Sequence, residues 1–277
     1  MADPEWADIE VEADGGGNPA SRVQSLERGF SVLKVFSADE PELTLTQVAQ
    51  RCGLARSAAR RFLLTLVDLG YAGVDGRHYY LRSRVLELGF TYLSSLALPE
   101  VARPHLAELS ARLQRSTSLA ILDGDDVVYV QRIAAKRILA VGIGVGTRLP
   151  AYLTSHGRVL LAALPDEALE AYLARLVLER RTPRTVRTPA QLRRRIRETR
   201  TKGWCMVDQE LEEGVSSLAV PVRDVTGDVV ASANVAVYSG VGAGTDLLET
   251  ALEPLQETAA EIEQQLRMAG TSVPRHH

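Results

Sequence analysis

One segment constrains the fold more than any other: LTLTQVAQRCGLARSAARRFLLTLVDLGYAGVDGRHYYL, residues 43–81. Its first part, LTQVAQRCG, reads as a short helix that Gly53 can end, since glycine takes the left-handed backbone of a helix C-terminus at no steric cost. Leu54 and Ala55 make the turn, and a second helix is expected from about 56 to 69, stopping at Gly70. At about 3.6 residues per turn, Ala58, Ala59, Phe62, Leu63, Leu66 and Val67 form one stripe. Arg56 and Arg60 stack four apart on another face, with Ser57 and Arg61 beside them. The apolar stripe can dock on a core, which turns the arginines outward from the first two turns. Next, the DG pair at 75–76 sits between Tyr71–Val74 and His78–Leu81, the signal of a two-strand hairpin with Arg77 at its tip.

Upstream, VQSLERGFSVLKVFS (23–37) repeats Val23, Leu26, Phe30, Leu33 and Val35/Phe36 at helical spacing, and ADEPE follows as a loop. Helix, short helix, tight turn, helix and hairpin together outline a winged helix-turn-helix over residues 21–83. In that arrangement the third helix enters the major groove by its N-terminal residues, and the hairpin reaches the backbone or minor groove. Arginine suits the place because its planar fork grips guanine O6/N7, or a phosphate, through two hydrogen bonds. The expected DNA-facing set is Arg56, Ser57, Arg60, Arg61 and Arg77, with Arg22 and Thr46 beside them. The plainer alternative is a solvated helix with three ordinary arginines; the preceding short helix and the hairpin weigh against it.

The charge distribution agrees. The chain has a net charge of −3, yet residues 1–20 carry six acidic residues and no Lys or Arg. Residues 21–85 carry ten Lys/Arg against six Asp/Glu, a local basic excess of the kind a DNA-binding module needs. Residues 1–20 read as a disordered acidic arm ending in GGGNP, and 269–277 as a flexible tail. A length of 277 residues at 45% hydrophobic suits two domains with separate cores. No run of about 18 apolar residues suggests a membrane span, and the N-terminus lacks signal-peptide regions, so a cytoplasmic location is expected. With Cys52 and Cys205 alone and far apart, neither a disulfide framework nor a cysteine-rich zinc site is expected.

Ser83 can cap a helix over SRVLELGFTYLSSLA, with Leu86, Phe90, Leu93 and Leu96 or Ala97 as its apolar edge. The stretch 84–98 reads as a linker helix and a dimer contact, or as simple intramolecular packing. From 99 to 268 the chain reads as one α+β domain. SLAILDGDDVVYVQRI gives two strands, and RILAVGIGVG a third apolar segment. SHGRVLLAAL and DEALEAYLARL look helical, the latter with Asp166 as cap. TPAQLRRRIRETRTKG is a helix with Thr188 as N-cap, Pro189 at its first position and Gly203 as terminator. WCMVDQEL, SSLAVPVRD and DVVASANVAVY are strand-like, and a last helix runs from about 245 to 267. Strands returning by short turns suggest an antiparallel sheet with helices around it. Arg193, Arg194 and Arg197 share a face that reads as solvated rather than as a second nucleic-acid site.

These segments resemble the IclR-type transcriptional regulators. The resemblance runs from Val23 to about Leu266, through SLERGFSVLKVF, LTLTQVAQRCGLARSAARRFLLTLVDLGY, VGTRLPAYLTSHGRVLLA and WCMVDQELEEGVSSLAVPVRD, in order. More narrowly, RRFLLTLVDLGY, YLSSLALPEVARPHL and VGTRLPAYLTSHGRVLLAALP are similar to the regulators of protocatechuate, 4-hydroxybenzoate and β-ketoadipate catabolism. The resemblance implies a winged helix-turn-helix, a linker helix and a GAF-like effector domain. It also implies a homodimer, often paired into a tetramer, on a palindromic promoter site, with a small carboxylate or aromatic acid as effector. It leaves open whether the chain represses or activates.

Carried onto this sequence, the effector site uses Thr154, Ser155 and His156 at a helix start, where free N–H groups favour a carboxylate. Ser155 can add a hydroxyl donor, and His156 a charge that depends on its pKa. Many members of the family this chain resembles carry a small or apolar residue at His156's place. Arg148 is expected either to pair with the ligand or to brace the loop. Val141, Val215, Ser217, Asn234 and Ala236 are expected across the pocket, although Ser217 and Asn234 could equally make routine strand hydrogen bonds. Asp208 and Glu210 could be a polar pocket edge, but read rather as a surface loop.

An enzyme is not expected. Ser155, His156 and Asp208 suggest a hydrolase only weakly, since adjacent Ser and His do not set a nucleophile against a base held by a third group. GVSSL lacks the closing glycine of a nucleophile elbow. Without a phosphate loop, dinucleotide fingerprint or ligand-spaced histidines, no cofactor or metal is expected. The remaining alternative is a ligand-binding module that acts through a protein partner.

Overall fold

The structure, a computed structural model, describes residues 23–37, 39–89, 97–135, 143–238 and 243–269. The acidic arm, residues 270–277 of the tail, Arg22, Val141 and most of RILAVGIGVG lie outside those residues. The chain divides into two compact units, Met1–Phe90 and Thr91–His277.

In the first unit, α1 (Gln24–Lys34), β1 (Glu42–Thr44), α2 (Leu45–Arg51) and α3 (Arg56–Asp68) precede β2 (Ala72–Asp75) and β3 (His78–Leu81). Thr44 starts α2 with a capping box: its hydroxyl accepts the Gln47 N–H, and the Gln47 side chain accepts the Thr44 N–H at 2.9 Å. Gly53, at φ +61°, makes the left-handed turn between α2 and α3. Val32, Leu43, Val48, Leu63, Leu66 and Ala72 close the core. The hairpin turn is Gly76–Arg77 rather than DG, because Asp75 still pairs with His78. One strand was not read from the sequence: β1 pairs with β3, Glu42 opposite Tyr80, which makes the wing three-stranded.

Ser83–Leu86 is a short 3-10 turn without a side-chain cap, where the sequence suggested a Ser83-capped helix. Residues 87–89 are helical, and 90–96 lie outside the described residues. The next helix, α4 (Ala97–Leu113), begins before Pro99 rather than at it. Proline is tolerated in a first turn, whose N–H groups have no intrahelical partner. Leu98, assigned to the linker from sequence, is therefore buried in the second unit's core.

The second unit holds a six-stranded antiparallel sheet in the order β6-β5-β4-β9-β8-β7. The strands are β4 (Ser116–Asp123), β5 (Asp126–Ile133), β6 (Arg148–Pro150), β7 (Cys205–Asp208), β8 (Val215–Arg223) and β9 (Val229–Tyr238). Strand side chains alternate between faces. Leu119, Leu218, Val220, Ala233 and Val235 pack with α4 and α8 (Ala243–Met268) on one face. The other face is covered by α5 (Ser155–Ala163), α6 (Asp166–Arg175) and α7 (Pro189–Lys202). Thr188 caps α7, and Gly203, at φ +75°, ends it. Asp166 caps nothing: Pro165 holds the N-cap position of α6, and the Asp166 carboxylate pairs with Arg200 instead.

Candidate functional site

On the first unit, Arg56, Ser57, Arg60 and Arg61 occupy the first two turns of α3 and are all exposed. Ala59, Leu63 and Leu66 on the opposite stripe are buried. Arg77 is exposed in the wing turn, and Thr46 is exposed near the start of α2. Among the described residues none of these arginines has an ion-pair partner, whereas Arg51 and Arg84 are paired with Glu40 and Glu87. The result is a helix start and a wing tip carrying uncompensated cations.

On the second unit, a cavity opens between the sheet and the start of α5. Its floor is two neighbouring rows of cross-strand partners: Arg132, Ser118 and Asn234, then Ala236, Ser217 and Val207. Leu153, Thr154 and Ser155 form one wall, and Leu211, Glu212 and Val215 the other, with Tyr129 and Ile143 completing the lining. Of the residues expected from sequence, Thr154, Ser155, Val215, Ser217, Asn234 and Ala236 come together here.

Two expectations need correction. Arg148 does not face the cavity: its guanidinium pairs with Asp123 and Asp126 across the β5–β6 edge, so it braces the strand pair. His156 lies beneath the lining, fully buried, with its ring edge-on to Tyr129 and its Nε2 3.1 Å from the Ser118 hydroxyl. Burial pulls its pKa down to about 3, so it is neutral at physiological pH and contributes no charge. The Ser118 hydroxyl also donates to Asn234 Oδ1 at 2.5 Å, so Ser118 links His156 to Asn234 on the cavity floor. His156 Nδ1 is buried without a hydrogen-bond partner among the described residues.

The hydroxyl that can donate into the cavity belongs to Ser217 rather than to Ser155. Ser155 Oγ donates to Ser217 Oγ at 2.9 Å, which leaves the Ser217 proton free for the cavity. Ser155 and His156 thus bond to different partners, and no nucleophile–base pair is formed. Glu210, read from sequence as part of a surface loop, is buried against Arg158. Asp208 ends β7, accepts from Ser216 Oγ at 2.6 Å and pairs with Arg184.

Sequence reasoning missed Ser118, Tyr129 and Arg132. Arg132 is half-buried, and burial lowers its pKa from the ordinary arginine value. It has no carboxylate partner among the described residues, and it is the one cation among the lining residues. The signal for Ser118 was its register opposite Asn234. Tyr129 and Arg132 reach the same face because the β4–β5 pairing shifts between Leu119 and Ala120, which breaks strict alternation.

A winged helix-turn-helix with free arginines, in one chain with a domain that holds a polar-floored cavity, defines a DNA-binding regulator with a ligand-sensing domain. The chain belongs to the IclR family of bacterial transcriptional regulators. The IclR helix-turn-helix domain matches residues 25–76, and the C-terminal domain of the bacterial transcriptional regulator IclR matches residues 90–264. Among its relatives, the Pca regulon regulatory protein of Pseudomonas putida is 42% identical over 90% of this chain and 89% of its own. A solved structure from Rhodococcus sp. RHA1 is 48% identical with a TM-score of 0.80, covering 90% of this chain and all of that one. An IclR homolog from Microbacterium hydrocarbonoxydans, solved in complex with 4-hydroxybenzoate, is 29% identical with a TM-score of 0.77, covering 88% and 99%. The family's members are regulators rather than enzymes.

Proposed function

We propose that this regulator binds a palindromic promoter as a homodimer, with tetramer formation on paired sites, and that a small aromatic or dicarboxylic acid seated in the second unit's cavity controls that binding. The observation that carries the effector class is Arg132. A half-buried guanidinium without a carboxylate of its own, set over a floor of Ser118, Asn234 and Ser217, is a ready partner for a ligand carboxylate. Tyr129, Ile143, Leu153 and Val207 supply apolar walls for a ring, and Glu212 offers an acceptor for a ring hydroxyl. The relatives' ties to the Pca regulon and to 4-hydroxybenzoate support the protocatechuate and β-ketoadipate pathway as the source of the effector. Arg56, Ser57, Arg60 and Arg61 read the major groove, and Arg77 touches the flanking backbone. Thr46 and Arg22 add phosphate contacts. A promoter target places the protein's work in the cytoplasm; no helix among the described residues is long and apolar enough to cross a membrane.

The test is fluorescence anisotropy on DNA flanking the protein's own gene. Titrations run with and without protocatechuate, 4-hydroxybenzoate and β-ketoadipate, at two salt concentrations because phosphate contacts are salt-dependent. Sequence-selective binding that shifts with one compound is the expected result. Selective binding that none of them shifts removes the aromatic-acid reading and keeps the DNA reading.

A further inference from the structure

The two walls of the cavity come from distant parts of the chain: Leu153–Ser155, entering α5, and Leu211–Val215, leaving β7. One guanidinium touches the root of both. Arg158, one turn into α5, is only 1% exposed. Its Nε donates to the Tyr152 carbonyl at 3.1 Å, next to the first wall. Its Nη1 and Nη2 donate to the two oxygens of Glu210 at 2.7 and 2.6 Å, next to the second. Glu210 Oε2 also accepts the Val186 N–H at 3.1 Å. Thr185 and Thr182 donate their hydroxyls to the carbonyls of Glu210 and Gln209 at 2.7 and 2.6 Å. Gln209 itself sits at φ +58°, a backbone setting that costs a non-glycine residue energy unless its surroundings hold it.

Close packing fixes Arg158 from its own side. A Cβ on Gly157 would meet the Ala151 carbonyl oxygen at 2.0 Å, so α5 presses directly on the turn that leads into the first wall. The guanidinium therefore starts from a rigid mount and reaches outward to the 209–215 segment.

We infer that Arg158 is a positioning residue for ligand binding: acting through Glu210, it sets the pose of the 209–215 wall against the start of α5, and thereby the affinity of the cavity. The inference rests on the cavity being the effector site. Folding alone does not require such a pair, because a buried ion pair can often be replaced by apolar side chains of similar volume without loss of stability. Apolar side chains cannot reproduce the two directed bonds that hold Glu210, and with it Leu211 and Glu212, at one angle. A lysine keeps the charge but offers no fork.

The experiment uses the full chain, in four forms: wild type, Arg158→Lys, Glu210→Gln and the double variant Arg158→Met/Glu210→Leu. Three quantities are read: thermal melting, amide hydrogen exchange at 209–215 without ligand, and calorimetric titration with 4-hydroxybenzoate and with protocatechuate. The double variant is expected to melt close to wild type, exchange about tenfold faster at 209–215 and at Val186, whose N–H loses its acceptor, and bind the probe about tenfold more weakly. Arg158→Lys and Glu210→Gln are expected to shift exchange and affinity in the same direction. A double variant with wild-type melting, exchange and affinity overturns the inference, because the pair is then dispensable for the pose of the wall. If the double variant does not fold, the same readouts on Arg158→Lys decide. If wild type binds neither probe, the effector reading fails, and the exchange rates still decide whether Arg158 poses the wall.

Discussion

Arg60, on the exposed face of α3, and Arg158, one turn into α5, carry the same guanidinium in opposite settings. Arg60 has no carboxylate partner among the described residues and faces solvent; Arg158 is buried and held at three nitrogens. The contrast extends across the two units. Along α3 and the wing, Arg56, Arg60, Arg61 and Arg77 are all without ion pairs among the described residues. In the second unit Arg112, Arg115, Arg148, Arg175, Arg193 and Arg200 each pair with a carboxylate. An arginine with a partner has spent its hydrogen bonds inside the protein. One without a partner keeps them for something outside, such as a phosphate or a base. Arg103, Arg187 and Arg197 are likewise without ion pairs among the described residues; Arg132 is informative because it is the unpaired arginine that lines the cavity.

Substituting the arginines at different sites tests this contrast. The largest effect is expected from Arg158→Ala, which leaves Glu210 buried without its partner; denaturant unfolding of the second unit's transition should show a loss of about 3–5 kcal/mol. Arg60→Ala should leave that transition unmoved and weaken operator binding by about 1–3 kcal/mol, read by anisotropy. An equal loss on unrelated DNA would make Arg60 a phosphate contact, and no loss would place it outside the interface. Arg132→Gln should weaken 4-hydroxybenzoate binding about 10- to 100-fold in calorimetry, with melting unchanged. Unchanged affinity would show that the ligand's acid end lies elsewhere.

His156 gives a smaller, pH-dependent effect. Its pKa in the folded chain lies below the ordinary value of 6.5, so the unfolded chain takes up the proton first. The stability linked to this group is complete above that value and is lost as pH falls from 6.5 towards 3. At pH 5.5 the loss should be about 1.4 kcal/mol relative to pH 7.5. A His156→Asn chain should lack that part of the pH dependence. The smallest effect is expected from Arg112→Ala, which breaks an exposed pair with Glu257: a change in unfolding free energy under about 0.5 kcal/mol. A large loss there would mean that the second unit's surface pairs carry stability after all.

The helix-turn-helix was legible because its signals are local. The stripe through Leu63 and Leu66, the turn at Gly53 and the arginines on the other face all follow from spacing along one helix. Much of the cavity was legible too, since Ser217 and Asn234 stand in strands where alternation puts them opposite Leu218 and Val235. The sequence left Arg148 open and passed over Arg132 for a common reason. Which carboxylates stand beside an arginine depends on strand pairing, and Asp123 lies 25 residues before Arg148. The DVVYVQRI strand hid Arg132 further, because its register shift places Tyr129 and Arg132 on one face although they are three residues apart.

The sequence by itself determined the local elements, the location of the uncompensated basic surface and the outline of two domains, because helix period, strand period and turn chemistry act over a few residues. Tertiary structure alone decided the states of the charged and polar side chains. It paired Arg148, left Arg132 free over the cavity, kept His156 neutral and buried Glu210 against Arg158. Those outcomes are set by which groups distant in sequence share a low-dielectric space, and only the packing of the chain brings such groups together.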